Sequence, residues 1–298
     1  MTANLTGYPP KVFLIGAQKS GTTNLAGLMG QHPKVCLATP KEPDIFTRHW
    51  TGALGPIDQH FPDANPEQIL LDASTSYTCA PLPDLFAADK TTVSRYSGAA
   101  ERIYDHAPDA RLIYIMRNPI ERTYSAYWHK VRAGEEKREF REAIRSDSYY
   151  LRTSHYAGQL NQYLRHFPKN QILCLFFEAL RKNPIETAKR CFQFIGVSDD
   201  IPLQPNRGQN KSFAYPGPLQ RLNRILQPIG GLNRVVKATK RIMPRAVLEG
   251  GASILTRPVP KIDAEDARWL RRETQGSLAP LEEILGEVLP EAWLGNED

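Results

Sequence analysis

The run Val12-Phe13-Leu14-Ile15-Gly16-Ala17-Gln18-Lys19-Ser20-Gly21-Thr22-Thr23 leaves few folds open, because an apolar stretch breaks into a glycine-bounded loop and then into a helix. Val12 to Ile15 is short, aliphatic and aromatic, and bounded by Pro10 and Gly16, as a strand buried on both faces of a parallel sheet would be. Gly16 and Gly21 let the backbone turn tightly and come close to a ligand. From Thr23 to Met29 apolar residues recur at helical spacing, so the loop ends at a helix N-terminus with free N–H groups and the positive end of a dipole. Such a unit favours an anion.

Strand and helix alternate along the rest of the chain. Strands are predicted near 11–15, 34–37, 69–72, 111–116 and 171–177, and helices near 22–31, 97–106, 119–132, 155–167, 184–195 and 264–286. That alternation predicts an α/β fold, a P-loop-like parallel sheet flanked by helices on both faces. With 298 residues, 41% of them hydrophobic, the chain can bury a sizeable core. One domain over 1–298 is expected, with a core of about 11–215 and a basic, helical segment over about 216–298.

A nucleotide loop of the order G-x-x-x-x-G-K-[ST] sets its lysine directly before the hydroxyl that holds magnesium. Here Gly16 and Gly21 keep the spacing, but Thr22 stands in the lysine's place and Lys19 lies inside the loop. Lys19 still reaches a group in transfer, while the magnesium–triphosphate cradle is compromised. A second buried strand, Arg111 to Met116, carries Arg117 at its carboxyl end, where ligands of open α/β sheets bind. Pro119 starts the following helix, which places Ser125 about two turns in. Arg117 could equally pair with Glu121. In a third segment Pro40 and Pro43 stiffen the loop that carries Lys41 and Glu42. A carboxylate there could take a proton from an acceptor, or only pair with Lys41. A fourth segment, Asn206 to Phe213, reads as a basic surface loop.

The string Gln18-Lys19-Ser20-Gly21-Thr22-Thr23 resembles the 5′-phosphosulfate loop of sulfotransferases that use 3′-phosphoadenosine-5′-phosphosulfate (PAPS). It is most similar to the heparan sulfate N- and O-sulfotransferase branch and its bacterial relatives, over about residues 11 to 215. The resemblance implies that Arg117 and Ser125 hold the 3′-phosphate, that Glu42 in a Glu-x-x-x-Phe element is the base, and that Lys211, Ser212 and Phe213 belong to a loop closing over the nucleotide. It implies sulfuryl transfer to a hydroxyl, less readily an amine, of a carbohydrate, glycolipid or other small or lipid-linked acceptor. Lys19 would stabilise the leaving phosphate, PAPS would be co-substrate and PAP the product, and no metal is expected. Ala73 departs from the pattern, since animal members carry a functional lysine there. Tyr156 opens a helix that borders the acceptor or nucleotide pocket in relatives and could contribute a hydroxyl there; a core tyrosine is an equal reading. His129, following the 3′-phosphate helix, and His49 are alternative bases, because sulfotransferases of small molecules use a histidine.

Two further readings stay open. Ile69 to Asp72 resembles a Walker-B strand end, in which Asp72 would hold magnesium in a kinase or ATPase using ATP; otherwise Asp72 faces substrate, orients a neighbour or caps a turn. A catalytically inactive nucleotide-binding protein is the other. The formal charge of +6 suits an anionic ligand and gives no ground for nucleic-acid binding, so no nucleic-acid partner is expected. From Arg221 to Arg245 there are seven basic side chains and no Asp or Glu, interleaved with apolar residues. Such a stretch packs on the core, covers a substrate groove or touches an anionic membrane peripherally. The absence of an 18-residue apolar run or a charged-then-apolar leader predicts a soluble, cytoplasmic protein. Cys36, Cys79, Cys174 and Cys191 lack metal-ligand spacing and read as reduced thiols. Glu135 to Arg145 reads as an exposed helix face with intrahelical pairs. Neither the acceptor nor the oligomeric state is legible.

Overall fold

The computed structural model describes residues 7–87, 95–205, 213–214 and 257–294. Five strands, β1 (Val12–Gly16), β2 (Val35–Leu37), β3 (Ile69–Asp72), β4 (Arg111–Met116) and β5 (Ile172–Phe176), form a parallel sheet in the order β2-β3-β1-β4-β5. β1 lies at its centre, paired through Val12 to Leu71 on one side and to Arg111 on the other. The ladder to β4 slips between Leu14 and Gly16, so that Gly16 falls opposite Tyr114. That slip is where the chain leaves the sheet.

The helices are α1 (Thr22–Met29), α2 (Ala99–His106), α3 (Pro119–Ala133), α4 (Phe140–Ser146), α5 (Tyr149–Arg152), α6 (Tyr156–Leu164), α7 (Phe177–Lys182), α8 (Pro184–Ile195), α9 (Ala264–Gln275), α10 (Leu278–Leu285) and α11 (Glu291–Leu294). Side chains alternate across a strand, and both faces of β1 are covered. Val12 and Leu14 enter a core with Leu25 and Leu28 of α1 and with Cys191 and Phe192 of α8. Phe13 and Ile15 enter another with Ile103 of α2, Leu160 of α6, Leu281 of α10 and Trp293 of α11. Full burial contributes about 1.5–3 kcal/mol per large aliphatic or aromatic side chain, which is why these short apolar runs need no polar face. A two-residue antiparallel pair, β6 (Phe213–Ala214) and β7 (Arg257–Pro258), lies apart from the sheet.

The five predicted strands are all present, with ends within about one residue. The predicted helix 264–286 is two helices broken after Gln275. Gly276 caps the first, Ser277 Oγ donates to Thr274 O at 2.6 Å, and Pro280 is tolerated only because it sits in the first turn of the second. The predicted strand 171–177 loses Phe177 to α7. Glu135 to Arg145 is not an exposed face with intrahelical pairs: Glu136 is buried before α4 and accepts from Arg138 and from Tyr150 Oη, while Arg141 crosses to Glu265 and Asp266. Burial alone would raise the Glu136 carboxyl, yet hydrogen bonds from Arg138 hold it at about 2. The basic stretch 221–245 lies outside the described residues, as do Lys211 and Ser212. Among the described residues no helix is long and apolar enough to cross a membrane.

Gly16 has φ +154, and a Cβ built on it would lie 1.9 Å from Thr78 Oγ1. Gly16→Ala should therefore destabilise the fold by about 2–4 kcal/mol, read by urea unfolding, and Thr78→Ala should restore only part of the loss because the backbone strain remains.

Candidate functional site

The site begins where β1 ends. Ala17 N donates to Ile115 O at 2.7 Å and Ser20 N to Ala17 O at 3.1 Å, which ties the loop to β4 and curls it before α1. Gly21 caps α1 with φ +85, and a Cβ there would meet Leu180 and Phe177 of α7 at 2.9 Å. Only glycine therefore lets α7 press against the loop. No acidic residue occupies the first turn of α1, so no side chain of that turn offsets the positive end of its dipole. Gln18 and Lys19 are half-buried, Thr22 is buried and Thr23 exposed. Ser20 is fully buried, and its Oγ has no hydrogen-bond partner among the described residues. A buried unpaired hydroxyl costs about 1–3 kcal/mol, and a bound oxyanion would remove that cost.

Arg117 stands at the end of β4. Its Nη1 donates to Lys19 O at 3.3 Å, its Nε and Nη2 to Glu121 Oε2 at 3.1 and 2.7 Å, and its guanidinium lies 4.8 Å from the centre of the Phe177 ring. The pairing with Glu121 and the reach toward the loop are thus both present. Asn118 caps α3 by accepting from Ile120 N and Glu121 N, while its backbone N–H donates to Glu178, which also accepts from Trp293 of α11. Along α3, Arg122, Ser125, His129 and Arg132 recur at three- and four-residue spacing and share one face. Ser125 is 8% exposed and Arg122 fully buried.

That face brings cations to Lys19. Burial first, then the charges of Arg132, Arg117 and Arg122, lower the Lys19 ammonium from 10.5 to about 8, with Glu42 opposing. His129 is lowered to about 4, by desolvation and then by Lys19 and Arg132. The residue keeps contact with solvent, and the charges of Lys19 and Arg132 disfavour a further cation there. The imidazole is neutral at physiological pH on either cause. Lys19, Glu42, His129 and Arg132 therefore lie within one electrostatic neighbourhood.

Glu42 is held on both oxygens. Lys41 Nζ lies 2.9 Å from Oε1, and Thr75 Oγ1 donates to Oε2 at 2.9 Å. The loop is stapled to the turn after β3: Asp44 N donates to Ser74 Oγ at 2.9 Å, Ser76 Oγ donates to Asp44 Oδ1 at 2.5 Å, and Ala73 N donates to Lys41 O at 3.3 Å. The alternative in which Glu42 pairs with Lys41 is thus present alongside its place near Lys19.

Two predicted residues sit elsewhere. Asp72 is not at the surface of a substrate pocket: it is fully buried and accepts from Ser74 N, Ser74 Oγ and Tyr77 Oη. Burial outweighs those bonds and pushes its carboxyl up to about 7. It caps the turn that carries Thr75. Tyr156 is 1% exposed, packs against Tyr114 and Trp293, and donates to Arg117 O at 2.5 Å. It is a core tyrosine that fixes the backbone of Arg117. His49 Nδ1 lies 2.8 Å from Pro43 O, within its own loop. Phe213 contributes backbone to β6, paired with Pro258. Sequence reading passed over Lys41 as a site residue, and over Thr75 and Arg132. Helical spacing from Ser125 and His129 could have found Arg132; nothing local marks Thr75.

A family model described as "Sulfotransferase domain" matches residues 9–209. The mouse protein "Heparan sulfate glucosamine 3-O-sulfotransferase 6" is 28% identical over 196 residues, covering 63% of this chain and 52% of its own length. The human "Bifunctional heparan sulfate N-deacetylase/N-sulfotransferase 1" is 27% identical over 219 residues, covering 64% of this chain and 22% of its own. The chain therefore spans about half or less of the length of these relatives. A crystal structure of a sulfotransferase from Alicyclobacillus acidocaldarius shares the fold, with a TM-score of 0.66, 22% identity, and coverage of 97% of this chain and all of that one.

Because Lys19 titrates at about 8 in the fold and at 10.5 in an unfolded chain, its charge is a burden below pH 8, and stability should rise as pH rises from 8 to 10.5. Lys19→Met should accordingly raise the melting temperature of the ligand-free protein at pH 7, by about 2–4 °C for each kcal/mol relieved. The gain should vanish near pH 10.5, as scanning calorimetry at the two pH values will show.

Proposed function

The chain belongs to the sulfotransferase domain family, and from that premise we propose that it moves a sulfuryl group from PAPS to a hydroxyl of a carbohydrate or glycolipid acceptor. One observation carries the reading: Arg117 reaches the loop that carries Lys19, the helix this loop opens has no acidic residue in its first turn, and the Ser20 hydroxyl is buried without a partner among the described residues. A phosphosulfate fits such a cradle, since its oxyanions accept from N–H groups, a hydroxyl and an ammonium together. Arg117 and Ser125 would take the 3′-phosphate, with Arg117 exchanging Glu121 for the stronger anion. The carbohydrate acceptor is proposed from the names of the relatives, both of which act on heparan sulfate by their descriptions.

The chemistry asks little of the protein beyond position, proton removal and charge stabilisation. As sulfur passes in line to the acceptor oxygen, negative charge develops on the oxygen bridging to the leaving phosphate. Lys19 and the loop N–H groups stabilise that charge. Glu42 accepts the acceptor's proton, and His129, which feels the Glu42 charge, is the alternative base. A magnesium–triphosphate reading has less support, because both oxygens of Asp72 are committed to Ser74 and Tyr77.

Calorimetry with PAP tests the donor half: binding is expected, and Arg117→Ala should weaken it at least tenfold, whereas absent binding would sink the reading. Labelled PAPS offered with heparan-type oligosaccharides and glycolipids tests the acceptor half. Lys19→Ala should lower turnover about 100- to 1,000-fold and Glu42→Gln comparably; unimpaired turnover in Glu42→Gln would pass the base to His129.

A further inference from the structure

The residue that the sequence pattern expects at position 73, a lysine, is alanine here, and the space beside its backbone is put to another use. Lys41, from the proline-flanked loop, donates to Ala73 O at 3.0 Å, reaches Thr22 Oγ1 of the phosphate loop at 3.4 Å, and meets Glu42 Oε1 at 2.9 Å. One ammonium thus touches three segments: the anion-binding loop, the end of β3 and the carboxylate. Thr75 holds the remaining carboxylate oxygen at 2.9 Å.

We propose that Lys41 and Thr75 are positioning residues that orient the Glu42 carboxylate, one oxygen each, and that Lys41 couples this orientation to the phosphate loop through Thr22. The inference rests on the reading of Glu42 as the proton acceptor. A carboxylate on a loop has rotational freedom about three side-chain bonds, and proton transfer needs it within hydrogen-bond reach of the acceptor hydroxyl. Two donors on opposite oxygens remove that freedom, and a misplacement of about 1 Å can cost roughly 100-fold in rate. Neither donor is itself spare. Thr75 sits in a short turn, Thr75–Thr78, packed under the loop, and Cys79 Sγ donates back to its carbonyl. Lys41 is 19% exposed at its side chain and spends its other contacts on Ala73 O and Thr22 Oγ1. Thr22 is the link that matters for order of events. When an oxyanion takes up the Thr22 hydroxyl, that hydroxyl can keep accepting from Lys41, so a filled loop presents the carboxylate in its working position.

The arrangement makes a prediction that simple structural support would not. Thr75→Val, which keeps shape and deletes the donor, should lower kcat about 10- to 100-fold while leaving the Kd for PAP within twofold, and Thr75→Ser should restore most of the rate. Lys41→Met should lose rate similarly and also weaken PAP a few-fold, because its tie to Thr22 is gone. In a Glu42→Gln background, Thr75→Val should cost almost nothing further, since both changes act through one group. The assay is labelled PAPS with a heparan-type oligosaccharide panel, with PAP calorimetry beside it. PAP failing to bind the parent protein would refute the functional reading itself. PAP binding intact with Thr75→Val costing as much in Glu42→Gln as in the parent would overturn this inference alone. A crystal structure of Thr75→Val gives a readout independent of any acceptor: the carboxylate is expected to swing away from its parent position, and one that stays put overturns the proposal.

Discussion

The hydrogen bond from Ala17 N to Ile115 O, 2.7 Å long, is the last tie between the exit of β1 and β4, and the site follows from it. It sets the point at which the loop leaves the sheet, and so brings Lys19 over the end of β4, where Arg117 reaches back to Lys19 O. The same exit runs so close to Thr78 that position 16 has no room for a side chain. Because Thr78 ends the turn that follows β3, the turn, the loop and β4 cannot shift independently. Thr75 in that turn then holds Glu42, and Ser74 and Ser76 hold the loop around it.

Around this frame the protein gathers like charges. Arg117, Arg122 and Arg132 press on Lys19, and Lys19 and Arg132 press on His129, so the lowered ammonium and imidazole record the repulsion alongside burial. Arg122 is the extreme case: it is fully buried, and its hydrogen bonds go to Ser154, Thr123 and the carbonyl of Tyr150, all neutral. Such a cluster costs stability in the empty protein. Packing from α7 and α11 holds the backbone against it. On the proposed function, the repulsion is what an anionic donor would relieve, so affinity and electrostatic strain would have one source.

Much of this was legible in the chain. The strands read correctly because a strand covered on both faces is a continuous apolar run, and shortness, flanking glycine or proline and β-branched content tell it from a buried helix. The glycine spacing, the displaced Lys19, and Arg117 before Asn118-Pro119 were equally local signals. The reading failed where a role depends on a partner far along the chain. Asp72 is the exception: of its open readings the turn cap is the one the structure shows, and its partners Ser74 and Tyr77 lie only two and five residues along the chain. Tyr156 reads locally as either a pocket hydroxyl or a core tyrosine, and only its packing between Tyr114 and Trp293 decides for the core. The charges of 135 to 145 look intrahelical, yet Arg141 finds its carboxylates on α9.

By itself, then, the sequence determined the strands of the parallel sheet, the glycine-bounded turn after β1 and the cationic character of the groups around it, since all of these are set by neighbours within about ten residues. Tertiary structure alone decided which cations face Lys19, which hydroxyl holds Glu42, and that Lys41 spans from the phosphate loop to Ala73. Those choices depend on contacts between segments dozens of residues apart, such as Glu42 with Thr75 and Asn118 with Ala292. No periodicity or spacing encodes such contacts, because they exist only once the sheet has brought the carboxyl ends of its strands together.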